Sequence, residues 1–217
     1  MKQLPLPPVP ALSDFDPAWG VDGAARDRLA ALVANLFKWQ RAINLVAAST
    51  LAQVWTRHVA DSLQLVPLVP KDCRILVDLG SGAGFPGLVL AAVLPGAEVH
   101  LIESDARKAE FLRDSARLCG IPAVIHPCRI ADAPAIAAEC VTARALAPLA
   151  ELLEMSARFC GPATVRLFPK GRNFATELTE AGKTWTLSAD RVASRTDPEG
   201  AILRIVRAEP VAPTGRS

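Results

Sequence analysis

The chain has 217 residues, 51% of them hydrophobic and 21% charged, with a net charge of +2. Composition excludes collagen, coiled coil and wholesale disorder, and a chain of this length buries enough apolar surface to fold without a disulfide or metal staple. The near-balanced charge leaves room for a nucleic-acid partner only through a local basic patch.

Pro5, Pro7, Pro8 and Pro10 make residues 1–20 a proline-rich arm, expected to be extended and not a signal peptide. Leu29, Leu32, Val33, Leu36 and Phe37 recur at helical steps and predict a helix over residues 24–40. A second helix is expected over 51–66, ended by Pro67. The texture changes near Lys71. Residues 74–79 form a short, almost continuously apolar run, which suits a strand buried on both faces. A helix follows over 86–94, then a strand over 98–103. The next helix, over 105–119, is capped by Ser104 or Asp105 and stopped by Gly120. Strands at 123–125 and 141–143, a helix at 148–159, a strand at 163–168 and a helix at 174–184 continue the alternation. Residues 191–195 and 202–207 face each other across the turn sequence Asp197-Pro198-Glu199-Gly200.

This pattern is α/β. It implies a mostly parallel seven-stranded sheet with helices on both sides, closed by an antiparallel C-terminal hairpin and preceded by a helical extension. The expected organisation is an arm (1–20), a helical extension (21–70), an α/β domain (71–209) and a loose tail (210–217). The five cysteines form no C-x-x-C pair and have no zinc spacing, so they are read as reduced, buried thiols in a cytoplasmic protein, with no metal site. The most apolar window, residues 85–93, is too short to span a bilayer.

The first strand runs into Asp78-Leu79-Gly80-Ser81-Gly82-Ala83-Gly84-Phe85-Pro86-Gly87. Glycines there let the backbone turn sharply and let a ligand approach closely. Glu103 ends the second strand, 23 residues after Gly80, where a carboxylate accepts from ribose hydroxyls. The site should therefore hold an adenosine-type ligand. Gly82, Gly84 and Gly87 match the dinucleotide fingerprint literally, which leaves a nicotinamide oxidoreductase open. Asp78 favours a different ligand. A carboxylate beside a pyrophosphate is repelled, whereas the α-ammonium of S-adenosylmethionine attracts it. The Rossmann-like fold of class I methyltransferases that use S-adenosylmethionine is the better fit.

The segment from Asp78 to Gly87 resembles the D-[VI]-G-[TS]-G-x-G-[LF]-P-G signature of the bacterial small-subunit ribosomal RNA guanine-N7 methyltransferases, the glucose-inhibited division protein B family. Asn44-Leu45, Arg57-His58-x-x-Asp61-Ser62, Lys108 with Phe111 and Leu112, Arg144-Ala145 and Lys170-Gly171 agree with that family in order and spacing. The chain departs from it at Ala143, where the family has serine, at Ala131, where an acidic residue is common, and at Phe168-Pro169 before Lys170.

The resemblance implies that S-adenosylmethionine sits against Gly80 and Phe85, within a loop that includes Ser81, Gly82 and Gly84. It also implies Glu103 on the ribose, Ile130 and Ala131 flanking the adenine, and Arg144 at the mouth. It further implies methylation of N7 of a guanine in the decoding-region loop of 16S rRNA, as free RNA or in the 30S subunit; a monomer is the default expectation. N7 has no proton to lose, so no base is required. Arg144, Lys170 and His58 are the candidates for contact with the reacting groups. A methyltransferase of another nucleic acid or of a small molecule, and a non-catalytic RNA-binding module, are the remaining alternatives. Cys128 reads as a structural thiol, Trp39 and Trp55 as packing residues, and Arg107, Lys108, Arg113 and Arg117 as a solvated helix face.

Overall fold

A computed structural model describes residues 6–211. Asp22 opens α1 (Gly23–Gln40), its carboxylate accepting from the Ala25 N–H at 2.7 Å. Leu29, Leu32, Val33, Leu36 and Phe37 are all buried, as their spacing requires. The second predicted helix is not a single α-helix. A 3-10 segment (Ala48–Gln53) leads into a π-helical turn (Trp55–Ala60) and then the short α2 (Asp61–Leu63). π-turns are rare and cluster at functional sites; this one carries Arg57 and His58.

The arm also differs from expectation. Residues 1–5 lie outside the described part, but Leu12–Asp14 and Pro17–Trp19 are 3-10 turns. Phe15 is buried against Trp55, with ring centroids 5.4 Å apart. Apolar side chains spaced between the prolines give the arm something to bury, so it folds back on the helices.

The sheet has seven strands: β1 (Ile75–Leu79), β2 (Glu98–Ile102), β3 (Ala123–His126), β4 (Ala138–Ala143), β5 (Cys160–Lys170), β6 (Trp185–Ala193) and β7 (Ala201–Pro210). Their order is β3-β2-β1-β4-β5-β7-β6, with β7 antiparallel to both neighbours and the rest parallel. The hairpin is longer than predicted, and the C-terminal tail is strand through Pro210; residues 212–217 lie outside the described part. β6 is an edge strand with largely exposed side chains; Trp185 and Leu187 pack against the second core and Val192 against the first.

α3 (Gly87–Val93) and α4 (Ala106–Cys119) cover one face of the sheet; α5 (Leu149–Ala157) and α6 (Phe174–Ala181) cover the other. Leu76 joins the first core and Val77 and Leu79 the second, as strand alternation dictates. The N-terminal helices share the first core with α3 and α4. Trp39 Nε1 and Asn35 Nδ2 donate to Asp114 of α4 at 2.9 and 3.2 Å, which fixes the extension against the sheet layer. β1 lies between β2 and β4, so the strand order reverses beside it, and the crevice beyond the C-terminal ends of these strands is where open α/β sheets bind ligands.

Candidate functional site

The loop after β1 is built almost entirely from backbone. Gly80 has φ +62°, and a Cβ on it would lie 2.6 Å from Leu146 Cδ1. Gly84 has φ +81°, and its Cβ would lie 2.5 Å from Leu88 Cδ1. Any side chain at either position is strained and crowded. The Ser81 N–H donates to the Ile102 carbonyl at 3.0 Å, and the Gly82 N–H donates to Glu103 Oε2 at 2.7 Å. Glu103 Oε1 accepts from the Asp105 N–H at 2.8 Å. The carboxylate at the end of β2 thus holds the glycine loop. Each of its oxygens keeps a second lone pair.

Above this loop lies a cavity of about 1250 Å³. Of the sequence-predicted residues, Gly80, Ser81, Gly82, Phe85, Glu103, Ile130, Ala131 and Arg144 line it. Asp78 and Gly84 do not. Asp78 shares a strand face with Leu76 and points towards α3. It is fully buried, accepts from Thr142 Oγ1 at 2.6 Å, and its second oxygen has no partner. That oxygen would be 2.7 Å from a Cβ on Gly87, so only glycine lets α3 start this close. Burial, opposed chiefly by the Thr142 hydrogen bond, pushes the Asp78 carboxyl up to about 6. Asp78, expected from the sequence to lie beside an ammonium group, is buried and does not line the cavity. Ile130 and Ala131 sit in a 3-10 turn whose carbonyls accept from Arg158 Nη1. Ala131 lines the cavity with a methyl group where the family commonly has an acidic residue.

Arg144 stands at the mouth. Its Nε donates to the Phe85 carbonyl at 3.3 Å, and Nη1 donates to the Arg57 carbonyl at 3.1 Å and to Asp61 Oδ2 at 3.0 Å. Nη2 lies 3.1 Å from His58 Nδ1. A guanidinium only donates, so His58 Nδ1 accepts. Thr50 Oγ1 donates to the Ala47 carbonyl at 2.8 Å, so it accepts from His58 Nε2 at 2.8 Å. His58 is thus the neutral Nε2–H tautomer, stacked on Phe85. Its pKa falls from 6.5 to about 3, through burial first and then the Arg144 and Arg57 charges. Its accepting nitrogen is occupied, so it orients Arg144.

The model of the rRNA small subunit methyltransferase G family matches residues 25–200. The chain belongs to that family. Ribosomal RNA small subunit methyltransferase G of Rhodospirillum centenum is 56% identical over 208 residues, 96% of this chain and 95% of its own. The protein of that name from Rhodospirillum rubrum is 51% identical over 82% of this chain and 89% of its own. A solved MtNAS mutant in complex with S-adenosylmethionine shares the fold, with a TM-score of 0.56 at 13% identity over 84% of this chain and 76% of that one.

As a member of the family, the chain is a methyltransferase whose cofactor is S-adenosylmethionine, and the nicotinamide and non-catalytic readings are set aside. The residues present fit that cofactor. Glu103 offers lone pairs to vicinal hydroxyls, the glycine loop admits close approach, and Ile102, Ile130 and Met155 give the cavity an apolar side for a base. In this methyltransferase Lys170 is not a free cation. Its Nζ is 2.7 Å from Glu177 Oε2 and donates to the Ala147 carbonyl at 2.7 Å, with the side chain only 8% exposed. It borders a second cavity next to the first, together with His58 and Arg144. Cys128 lines the first cavity, half-buried. Trp55 is buried and Trp39 packs on Phe111, as read from sequence.

Sequence reasoning missed Arg158, Leu146 and Glu177. Leu146 was within reach, since it follows Arg144 at a C-terminal strand end. Arg158 and Glu177 belong to no motif and meet the site only through the packing of α5 and α6.

Proposed function

We propose that this methyltransferase modifies N7 of a guanine in the decoding-region loop of 16S rRNA, presented as free RNA or in the 30S subunit, and works as a monomer in the cytoplasm. The observation that carries the reading is the ligand cavity over the Gly82–Glu103 contact, opening past Arg144. The relatives' shared name supplies the small-subunit rRNA. No helix among the described residues is long and apolar enough to cross a membrane.

S-adenosylmethionine supplies an electrophilic methyl carbon on a sulfonium. Guanine N7 presents an in-plane lone pair and no proton, so the protein's task is alignment. Glu103 would fix the ribose from below, and Ile130 and Ala131 would bound the adenine. Arg144, held by four partners, sets the edge of the opening through which the purine enters. Positive charge passes to the purine as the methyl moves, and the cavity carries carboxylates, Glu151 and Glu154, on the α5 side. His58 and Lys170 serve as positioning groups and not as bases. Lys108 and Arg129 on the cavity wall would supply cations for RNA phosphate.

The test is to incubate the protein with tritiated S-adenosylmethionine and unmethylated 30S subunits or naked 16S rRNA, then map the label. One 7-methylguanosine in the decoding-region loop is expected. Label on another base, or on no RNA, would overturn the assignment.

A further inference from the structure

We infer that the second cavity is the pocket for the acceptor guanine and that Glu177 reads its Watson–Crick edge; this rests on the acceptor reading above. The cavity has a volume of about 500 Å³ and shares Arg144, Ala145 and Leu146 with the cofactor cavity as a common wall. A flipped purine lodged there would reach the methyl group past the edge of that wall, where the two cavities adjoin.

Guanine carries N7 and O6 on one edge and the N1–H and N2–H₂ donors on the other. With N7 turned to the wall, O6 falls beside Arg144. Four of the five guanidinium N–H groups there are engaged by Phe85, Arg57, Asp61 and His58, and the fifth, on Nη2, has no partner among the described residues. N1–H and N2–H₂ then face away from the wall and call for a carboxylate.

Three carboxylates border the cavity. Asp61 is fully engaged, by Arg144 on one oxygen and by Thr196 and Gln64 on the other. Asp197 accepts from the Glu199 N–H and faces Arg57 at 3.7 Å. Glu177 is different. Its Oε2 takes Lys170 Nζ and the Leu149 N–H at 2.9 Å, while Oε1 has no partner among the described residues. Its side chain is 25% exposed. Lys170, nearly buried and anchored also on Ala147, fixes the direction of that carboxylate and is a positioning residue. Burying a cation is costly unless its partner is needed in that place.

The arrangement also explains rejection of adenine. An adenine in the same pose would set its N6 donors against Arg144 and a bare N1 lone pair against Glu177. As positive charge develops on the guanine ring, N1–H and N2–H become stronger donors. The bonds to Glu177 therefore tighten as the methyl transfers, and the effect falls on kcat more than on KM.

The experiment compares 30S subunits assembled with guanine or inosine at the acceptor position; inosine lacks only the N2 amine. Wild type should favour guanine by about tenfold in kcat. Glu177→Gln should bring that ratio close to one while binding S-adenosylmethionine as wild type does, because Glu177 does not line the cofactor cavity. An unchanged ratio in the variant would overturn the role of Glu177. Equal wild-type rates on the two particles would overturn the pocket whether or not the variant folds. Absence of transfer to both, with the cofactor still bound, would bring down the acceptor reading and this pocket with it.

Discussion

The glycine-loop cradle proposed for the cofactor and the mouth above it are built in opposite ways. The cradle comes from one contiguous stretch, residues 78–87, and one side chain, Glu103; its shape is stored in backbone angles and in N–H groups aimed at carbonyl and carboxylate oxygens. The mouth is a network of side chains from distant segments: Thr50, His58 and Asp61 of the helical extension, Arg144 after β4, and Thr196 from the β6–β7 turn. A cradle of backbone tolerates no side chain where glycine stands. A mouth of side chains depends on every partner being present and in one protonation state.

Five outcomes would break or sharpen that contrast. Gly80→Glu should have the largest effect, abolishing S-adenosylmethionine binding while the sheet still folds, as read by calorimetry and circular dichroism. The positive φ and the 2.6 Å approach to Leu146 leave a glutamate no room. Wild-type affinity in that variant would show that the cradle is not the binding surface. Arg144→Ala comes next. It strips Asp61, His58 and Phe85 of a common partner, and loss of one member of a largely buried ion pair costs roughly 3 kcal/mol, measurable by urea unfolding.

Two pH profiles then separate the regions. His58 binds a proton near pH 6.5 in the unfolded chain but only near 3 in the fold, so its contribution is whole above 6.5 and is lost as pH falls from 6.5 towards 3. His58→Gln, which still accepts from Arg144, should flatten that decline. Asp78 acts in the opposite sense. Its carboxyl ionises near 3.8 unfolded and about 6 folded, so its burden on the fold is absent below 3.8 and grows as pH rises to 6. Asp78→Asn should gain stability relative to wild type across that window. Smallest of all, Arg207→Ala on the exposed β7 pair with Glu209 should change neither melting temperature nor methyl transfer.

The contrast also explains what could be read in advance. The β1 run, the glycine spacing and Glu103 are local signals, and the fold brings Gly80, Ser81, Gly82 and Glu103 together on one cavity. Alternation along β1 is equally local, and it sets Asp78 on the face of Leu76, outside the cavity lining. The π-turn that turns His58 to Arg144 left no mark in an apolar pattern that any helix would satisfy. Lys170 stood out at a strand end, but its partner Glu177 arrives on α6, and no spacing rule links them. Arg158 clamps the Ile130–Ala131 carbonyls from the end of α5 in the same unannounced way. Backbone geometry is written over a few consecutive residues; side-chain networks are assembled only when the chain closes.

The most direct measurement is a crystal structure of the protein soaked with S-adenosylmethionine. The ribose hydroxyls should rest on Glu103, the adenine should lie beside Ile130 and Ala131, and the methyl should point towards Arg144 and Leu146. A cofactor lodged away from the Gly80–Gly82 backbone, or with its ribose off Glu103, would contradict the account.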